Sequence, residues 1–262
     1  MPTTLITGGS SGIGLETARL LAQQGHHLLL VALPEEELAS AKKQLQQEIP
    51  GITVDTLAID LSAADSAQKV YDWAGTVSDQ VDYLINNAGF GTWGFIDDLD
   101  MEREAAMIQL HVGTLYKLTR LFLSDMLKRD AGRIVNLSSI SAFQANPLLA
   151  TYGATKSFVL QFSRAINQEL RERKSRVRVI AVCPTPVKAT GFQSGAAMEK
   201  SNLFKSWMVT TPQVVAKCIV RSLQGRRDMV IPGRGFDWVY ALTKRLPDRW
   251  QILISGAHLK TQ

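Results

Sequence analysis

Apolar residues along this chain fall into short, nearly unbroken runs separated by longer amphipathic stretches. The runs lie at about 3–7, 27–33, 52–58, 82–86, 132–138, 176–183 and 228–231, and each has the length of a strand. In most of the gaps the apolar positions recur at helical spacing. A strand followed by a helix and another strand needs a crossover, which is right-handed and leaves the neighbouring strands parallel. Helices then cover both faces of the sheet, so the strands carry Leu, Ile and Val continuously instead of in alternation. The pattern predicts an α/β fold of Rossmann type, a doubly wound, mostly parallel seven-stranded sheet with helices on both faces. Ligands of such sheets bind beyond the carboxyl ends of the strands, so chemistry is expected where each run stops.

No Pro/Gly/Ser-rich spacer, low-complexity tract or repeat interrupts the 262 residues, and one domain over 1–262 is expected. The first run begins at Thr3, which leaves no room for a signal segment. No apolar stretch approaches the roughly 20 residues that span a bilayer. Cys183 and Cys218 carry no metal-ligand spacing, so no metal is expected, and two ordinary thiols fit a reducing, cytoplasmic setting.

The net charge of +5 changes the picture only at the C-terminal end. Residues 221–262 hold eight basic side chains against Asp228, Asp237 and Asp248, which accounts for the whole excess. No basic face is visible elsewhere, which argues against nucleic acid as a partner. Within an extension over about 233–262, Arg234, Lys244, Arg245 and Arg249 mingle with Trp238, Tyr240 and Trp250. That mixture predicts a segment docked by its aromatics with its charges solvated. A helix lying on a membrane surface or an acidic partner is the alternative.

The first run ends in Thr7-Gly8-Gly9-Ser10-Ser11-Gly12-Ile13-Gly14 and leads into a helical stretch over Leu15 to Gln24. Glycines at 8, 12 and 14 let the backbone turn sharply and approach a pyrophosphate, whose charge is held by amide donors and the helix N-terminus. Further on, Tyr152 and Lys156 stand four residues apart at the start of an amphipathic helix, which puts phenol and ammonium on one face. A phenol with a pKa near ~10 is a poor acid or base at neutral pH, and a nearby cation stabilises its phenolate.

The spacing of the glycine turn resembles that of the short-chain dehydrogenase/reductase family, and other motifs fall in register with it over roughly residues 3 to 190. Asp60-Leu61 ends the third run, where the family sets an acid against the adenine ring. Asn86-Asn87-Ala88-Gly89 ends the fourth, and Ser138-Ser139 follows the fifth, thirteen residues before Tyr152. The resemblance implies hydride transfer between a nicotinamide and a carbonyl or alcohol. Tyr152 becomes general acid in reduction and base in oxidation, Ser139 the partner of the substrate oxygen, and Lys156 the ribose anchor and tuner of the tyrosine. Pro184, Val187 and Thr190 become cofactor contacts, beside Ser10, Ser11 and Ile13 of the turn. Homodimers or homotetramers are implied too, paired through helices over roughly 102–128 and 151–172. A subgroup resemblance is to the bacterial DltE-like reductases, carried by Gly89-Phe90-Gly91, Arg133 to Asn136 and Val230 to Gly233.

Two positions depart from the family. His111 stands where its catalytic asparagine usually stands, and three outcomes are open: retention of function through the backbone carbonyl, entry of the imidazole into the proton relay, or loss of activity in a cofactor-binding regulator. Thr185 replaces a usual glycine, so its path beside the nicotinamide is expected to shift slightly. After the second run, Val31-Ala32-Leu33-Pro34 offers neither an acid for the ribose of NAD nor an arginine for the phosphate of NADP. With no carboxylate at Leu33 to repel phosphate, the reading favours NADP(H) over NAD(H). Phe90, Trp93, Phe143, Phe192, Phe204, Trp207 and Met208 are expected at the pocket mouth, several of them in a lid over about 187–210. Phe143, Phe192 and Trp207 join Ser139 as substrate contacts, and an apolar ketone or aldehyde is the expected substrate.

Overall fold

A computed structural model describes residues 1–188, 190–192, 196, 198, 204, 208–233 and 235–259. Seven strands form one parallel sheet: β1 (Thr3–Thr7), β2 (His27–Ala32), β3 (Val54–Ala58), β4 (Tyr83–Asn86), β5 (Arg133–Leu137), β6 (Arg178–Val182) and β7 (Met229–Val230). Their order across the sheet is β3-β2-β1-β4-β5-β6-β7. The order reverses between β1 and β4, which pair directly with Leu5 opposite Leu84, and the parted connections leave a crevice at their carboxyl ends.

The continuous apolar runs are explained by burial on both faces. Leu28 and Leu30 of β2 join Ile6, Val135 and Ile180 under helices α1 (Gly12–Ala22), α2 (Glu35–Glu48) and α7 (Pro212–Leu223). The alternate residues Leu29 and Val31 join Leu5, Leu84, Ile134 and Val179 under α3 (Ser66–Val77), α5 (Leu115–Lys128) and α6 (Ala150–Glu172). A one-residue slip of β2 would exchange these two sets, so register is fixed from both sides.

The helix expected over 102–128 is divided. α4 (Met101–Ile108) passes through a π-helical turn, Gln109–Thr114, before α5 begins. Such turns insert one residue into the helical ladder and occur often at functional sites. This one carries His111.

Beyond β7 come α8 (Phe236–Thr243) and α9 (Asp248–Leu259). The expected docking of this extension by its aromatics holds for Tyr240, whose ring lies 4.1 Å from that of Phe143. It does not hold for the tryptophans: Trp238 is 76% exposed and Trp250 59%. α9 is instead held by small and polar contacts. The Ser255 hydroxyl donates to Asn146 Oδ1 at 2.9 Å, Gly256 packs on Pro147, and the Trp93 indole donates to the Leu259 carbonyl at 3.0 Å. Trp93 therefore tethers α9 and does not line the pocket mouth.

Candidate active site

One cavity of about 690 Å³ opens at the carboxyl ends of the strands. The first turn contributes Gly8, Ser10, Ser11, Gly12 and Ile13, the end of β2 contributes Leu33, and the end of β3 contributes Asp60 and Leu61. Asn87, Ala88 and Gly89 follow from β4, Ser139 from β5, and Pro184, Val187 and Thr190 from the segment after β6. His111, Tyr152 and Lys156 reach in from the helices, with Phe143 and Phe192 on the far side. Trp207 lies outside the described residues, as does most of the 187–210 segment. Phe204 and Met208 are described, and both line the cavity.

Gly14 stands behind the wall. A Cβ there would lie 2.0 Å from the Gly8 carbonyl oxygen and 2.8 Å from Asn87 Nδ2, so helix α1 approaches the turn as closely as backbone allows. Gly8 itself has φ +65°, the left-handed region. Thr7, which the sequence did not single out, ties β1 to β4. Its hydroxyl accepts from the amides of Asn87 and Ala88, both at 3.0 Å, while Asn87 Nδ2 donates to the Thr7 and Gly8 carbonyls at 2.9 and 3.1 Å.

The end of β5 is clamped from two sides. Ser138 donates its amide to the Val182 carbonyl and its hydroxyl to the Lys156 carbonyl, at 2.8 and 2.7 Å. Ser139 Oγ accepts from the Ser141 amide at 3.1 Å, and the Ile140 amide donates to the Pro184 carbonyl at 3.0 Å. The same Asn146 that receives Ser255 donates to the Ser141 and Gln144 carbonyls, both at 2.7 Å, and so fixes the loop leading to α6. Thr185 is buried and does not adopt the positive φ that would have favoured glycine, so the substitution there puts no strain on the backbone.

Tyr152 has intermediate exposure along the cavity wall, yet its phenol is deep enough that desolvation pushes its pKa up to about 12, with a hydrogen bond from Ser139 partly opposing. Lys156 is buried, and desolvation brings its ammonium down to about 8. Its Nζ donates to the Leu137 carbonyl at 3.0 Å and lies 5.6 Å from the centre of the Tyr152 ring.

His111 is 1% exposed, and burial followed by the Lys156 charge holds its pKa well below the ordinary 6.5, so the ring is neutral. The Thr155 hydroxyl donates to the Tyr152 carbonyl at 2.8 Å, and His111 Nδ1 lies 3.0 Å from the Thr155 hydroxyl oxygen. A hydroxyl has one proton, so Nδ1 carries the hydrogen of the second bond and Nε2 presents a lone pair. Nε2 is buried with no protein partner. It lies 2.6 Å, and Lys156 Nζ 3.5 Å, from the point where a Cβ on Gly89 would stand, so Gly89 leaves the room in which ring and ammonium meet.

A nicotinamide dinucleotide fits these residues on two counts. The glycine turn offers backbone with no side chain in the way. Two buried polar atoms of the cavity wall, His111 Nε2 and Thr185 Oγ1, also lack a partner within the protein.

A doubly wound sheet, a glycine turn at its switch point and a serine, tyrosine and lysine around one cavity define a nicotinamide-dependent oxidoreductase. The short chain dehydrogenase model matches residues 2–200, and the chain belongs to that family. It transfers hydride between NAD(P) and a carbonyl or alcohol. Among its relatives is a putative ketoacyl reductase of the monensin polyketide synthase from Streptomyces virginiae, 35% identical over 182 residues, covering 69% of this chain and 68% of the relative. The 3-oxoacyl-[acyl-carrier-protein] reductase FabG of Chlamydia trachomatis is 28% identical over 179 residues, or 68% of this chain and 72% of that one. A short-chain dehydrogenase from Sphingobium yanoikuyae, solved in complex with NADPH, superposes with a TM-score of 0.81 at 27% identity over 94% of this chain and 97% of that chain.

Proposed function

We propose that this protein is an NADP(H)-preferring reductase of an apolar, chain-bearing ketone or aldehyde, with Ser139, Tyr152 and Lys156 as its catalytic residues. The observation that carries the reading is the continuity of one cavity from the glycine turn, past these three side chains, to an apolar wall of Phe143, Phe192, Phe204 and Met208. Relatives named as ketoacyl and 3-oxoacyl reductases support a ketone on an acyl chain.

The cofactor, when bound, supplies hydride in reduction and takes it back in oxidation. The amides of the Gly8–Gly14 turn and the N-terminus of α1 hold its phosphates, with Ser10, Ser11, Gly12 and Ile13 in the wall. Leu33, in the cavity wall after β2, would face the adenosine ribose without a carboxylate, which supports NADP(H). Asp60 and Leu61 would hold the adenine, and Asn87, Ala88, Gly89, Pro184, Val187 and Thr190 would complete the binding surface. Ser139 Oγ orients the substrate oxygen. In reduction Tyr152 gives its phenolic proton to that oxygen, and in oxidation it takes the proton back. Burial, even with the opposing Ser139 hydrogen bond, holds the phenol at about 12, and the Lys156 ammonium would stabilise the phenolate as it forms. His111 serves as a neutral acceptor, its Nε2 lone pair receiving a hydrogen bond beside Lys156. We place this single-domain enzyme in the cytoplasm, where Cys183 and Cys218 remain thiols. Tyr116 and Phe158, exposed on α5 and α6, support pairing into homodimers or homotetramers through those helices.

The test follows nicotinamide absorbance as purified protein is mixed with NADPH or NADH and a panel of acyl-chain ketones and apolar aldehydes. Turnover faster with NADPH and abolished by Tyr152→Phe is expected. Cofactor binding without turnover on any of the panel, or turnover that persists in Tyr152→Phe, would overturn the proposal.

A further inference from the structure

Helices of a water-soluble domain turn their apolar stripe inward, and α8 and α9 turn one outward. Contacts through Ser255, Gly256 and Leu259 fasten α9 to the protein. Away from these contacts, Trp250, Leu253 and Ala257 are exposed at helical spacing, the first two at 59% and 57%, and Ile254 at the cavity's edge is 47% exposed. α8 adds Trp238 and Leu242, four residues apart and 76% and 61% exposed. The connection between the helices and the start of α9 present Lys244, Arg245 and Arg249, all exposed, against exposed Asp248.

We propose that this face docks on an anionic membrane surface and sets the mouth of the catalytic cavity against the lipid. Leucine and isoleucine side chains enter the boundary between headgroups and acyl chains, tryptophans sit at headgroup level, and the cations meet lipid phosphates. The charge pattern selects a membrane over a second copy of this chain. A second copy would bring the same net-cationic face, three cations to the one carboxylate of Asp248, whereas an anionic lipid surface complements it. The placement also links surface to site: Leu246, Gln251, Ile254, Ser255 and Leu259 line the same cavity as Tyr152. A carbonyl compound dissolved in the bilayer would then reach the cavity without crossing water. That last step rests on the proposed apolar substrate, whereas docking itself does not.

The experiment is sedimentation of the full chain with vesicles of phosphatidylcholine alone or mixed with phosphatidylglycerol, at about 0.1 M and 1 M salt, read by bound fraction and tryptophan emission. It needs no turnover, so failure of the reductase reading and failure of docking are separable. Binding that rises with phosphatidylglycerol, weakens at high salt and shifts tryptophan emission to the blue is expected. The triple variant Trp238→Ser, Trp250→Ser, Leu253→Ser alters no residue of the cavity wall. It should keep its circular dichroism and cofactor affinity while its vesicle affinity falls roughly tenfold or more. Absence of binding at low salt, or binding indifferent to the variant, would overturn the proposal. So would a drop in oligomeric state of the variant by light scattering, which would assign the face to another copy.

Discussion

Replacing Lys156 with Met should make the protein more stable as it removes the activity. Lys156 is 6% exposed, and burial lowers the pKa of its ammonium from 10.5 to about 8. At neutral pH the lysine is charged in both folded and unfolded chains, so the folded state carries the full penalty of holding that charge. The difference between the two pKa values corresponds to about 3 kcal/mol. Met keeps the length of the stem and removes the charge, but it leaves the Leu137 carbonyl without its donor, a loss of about 1 kcal/mol. A net gain of about 2 kcal/mol is expected, or roughly 4–8 °C in melting temperature for a chain near this size.

The pH dependence fixes the sign. Between about pH 8 and 10.5 the unfolded chain binds the Lys156 proton and the folded chain has released it, so this group makes the wild type gain stability as pH rises. The advantage of Lys156→Met should therefore be largest below pH 8 and fade towards pH 10.5. Urea unfolding at several pH values, with cofactor removed to avoid stabilisation by mass action, measures it. A variant no more stable than wild type at pH 7, or one whose advantage does not change with pH, would refute the argument that the lysine is kept for chemistry against the interest of the fold.

Gly14→Ala should weaken NADPH binding by about 100-fold or more, because a methyl 2.0 Å from the Gly8 carbonyl forces the phosphate turn apart; fluorescence titration measures this. Thr7→Val should cost about 2–4 kcal/mol in urea unfolding, since the Asn87 and Ala88 amides lose their shared acceptor. Nitrogen-15 spectra of labelled histidine should show His111 as the neutral Nδ1–H tautomer at pH 6. Because its pKa is held well below 6.5, the pH–rate profiles of wild type and His111→Asn should share one shape between about pH 5 and 8, whatever their amplitudes.

What the sequence revealed follows from how local each signal is. Strands buried on both faces read as unbroken apolar runs, so β1 to β6 lie within the expected spans, and residues at their carboxyl ends could be picked out before their neighbours were known. Tyr152 and Lys156 were legible because their relation is a spacing within one helix. The state of His111 was not: its imidazole has a near-neutral pKa in isolation, its neutrality arises from burial and the Lys156 charge, and its tautomer is set by Thr155, forty-four residues away. The π-helical turn under it was hidden as well, because apolar spacing runs on through α4 and α5 and one inserted residue leaves no mark in composition. Thr7 was passed over for the same reason, since a strand threonine reveals nothing of the amides it will receive from β4.

The C-terminal extension separates two questions that hydrophobic patterning merges. Apolar period shows that a stripe exists and that something must cover it, but it does not say what. For α1 to α3 and α5 to α7 the cover includes the sheet, and the inward reading was sound. In α9 the contacts to the protein include Ser255, Gly256 and Leu259, two of them small enough to let the helix lie close on Asn146 and Pro147. That packing turns Trp250 and Leu253 outward. The two tryptophans expected to anchor the segment are thus exposed, next to the cations that the sequence had left solvated. The same inversion joins the observations behind the membrane proposal: an outward stripe, a cationic border and a shared cavity wall all follow from which side of α9 was given the small residues.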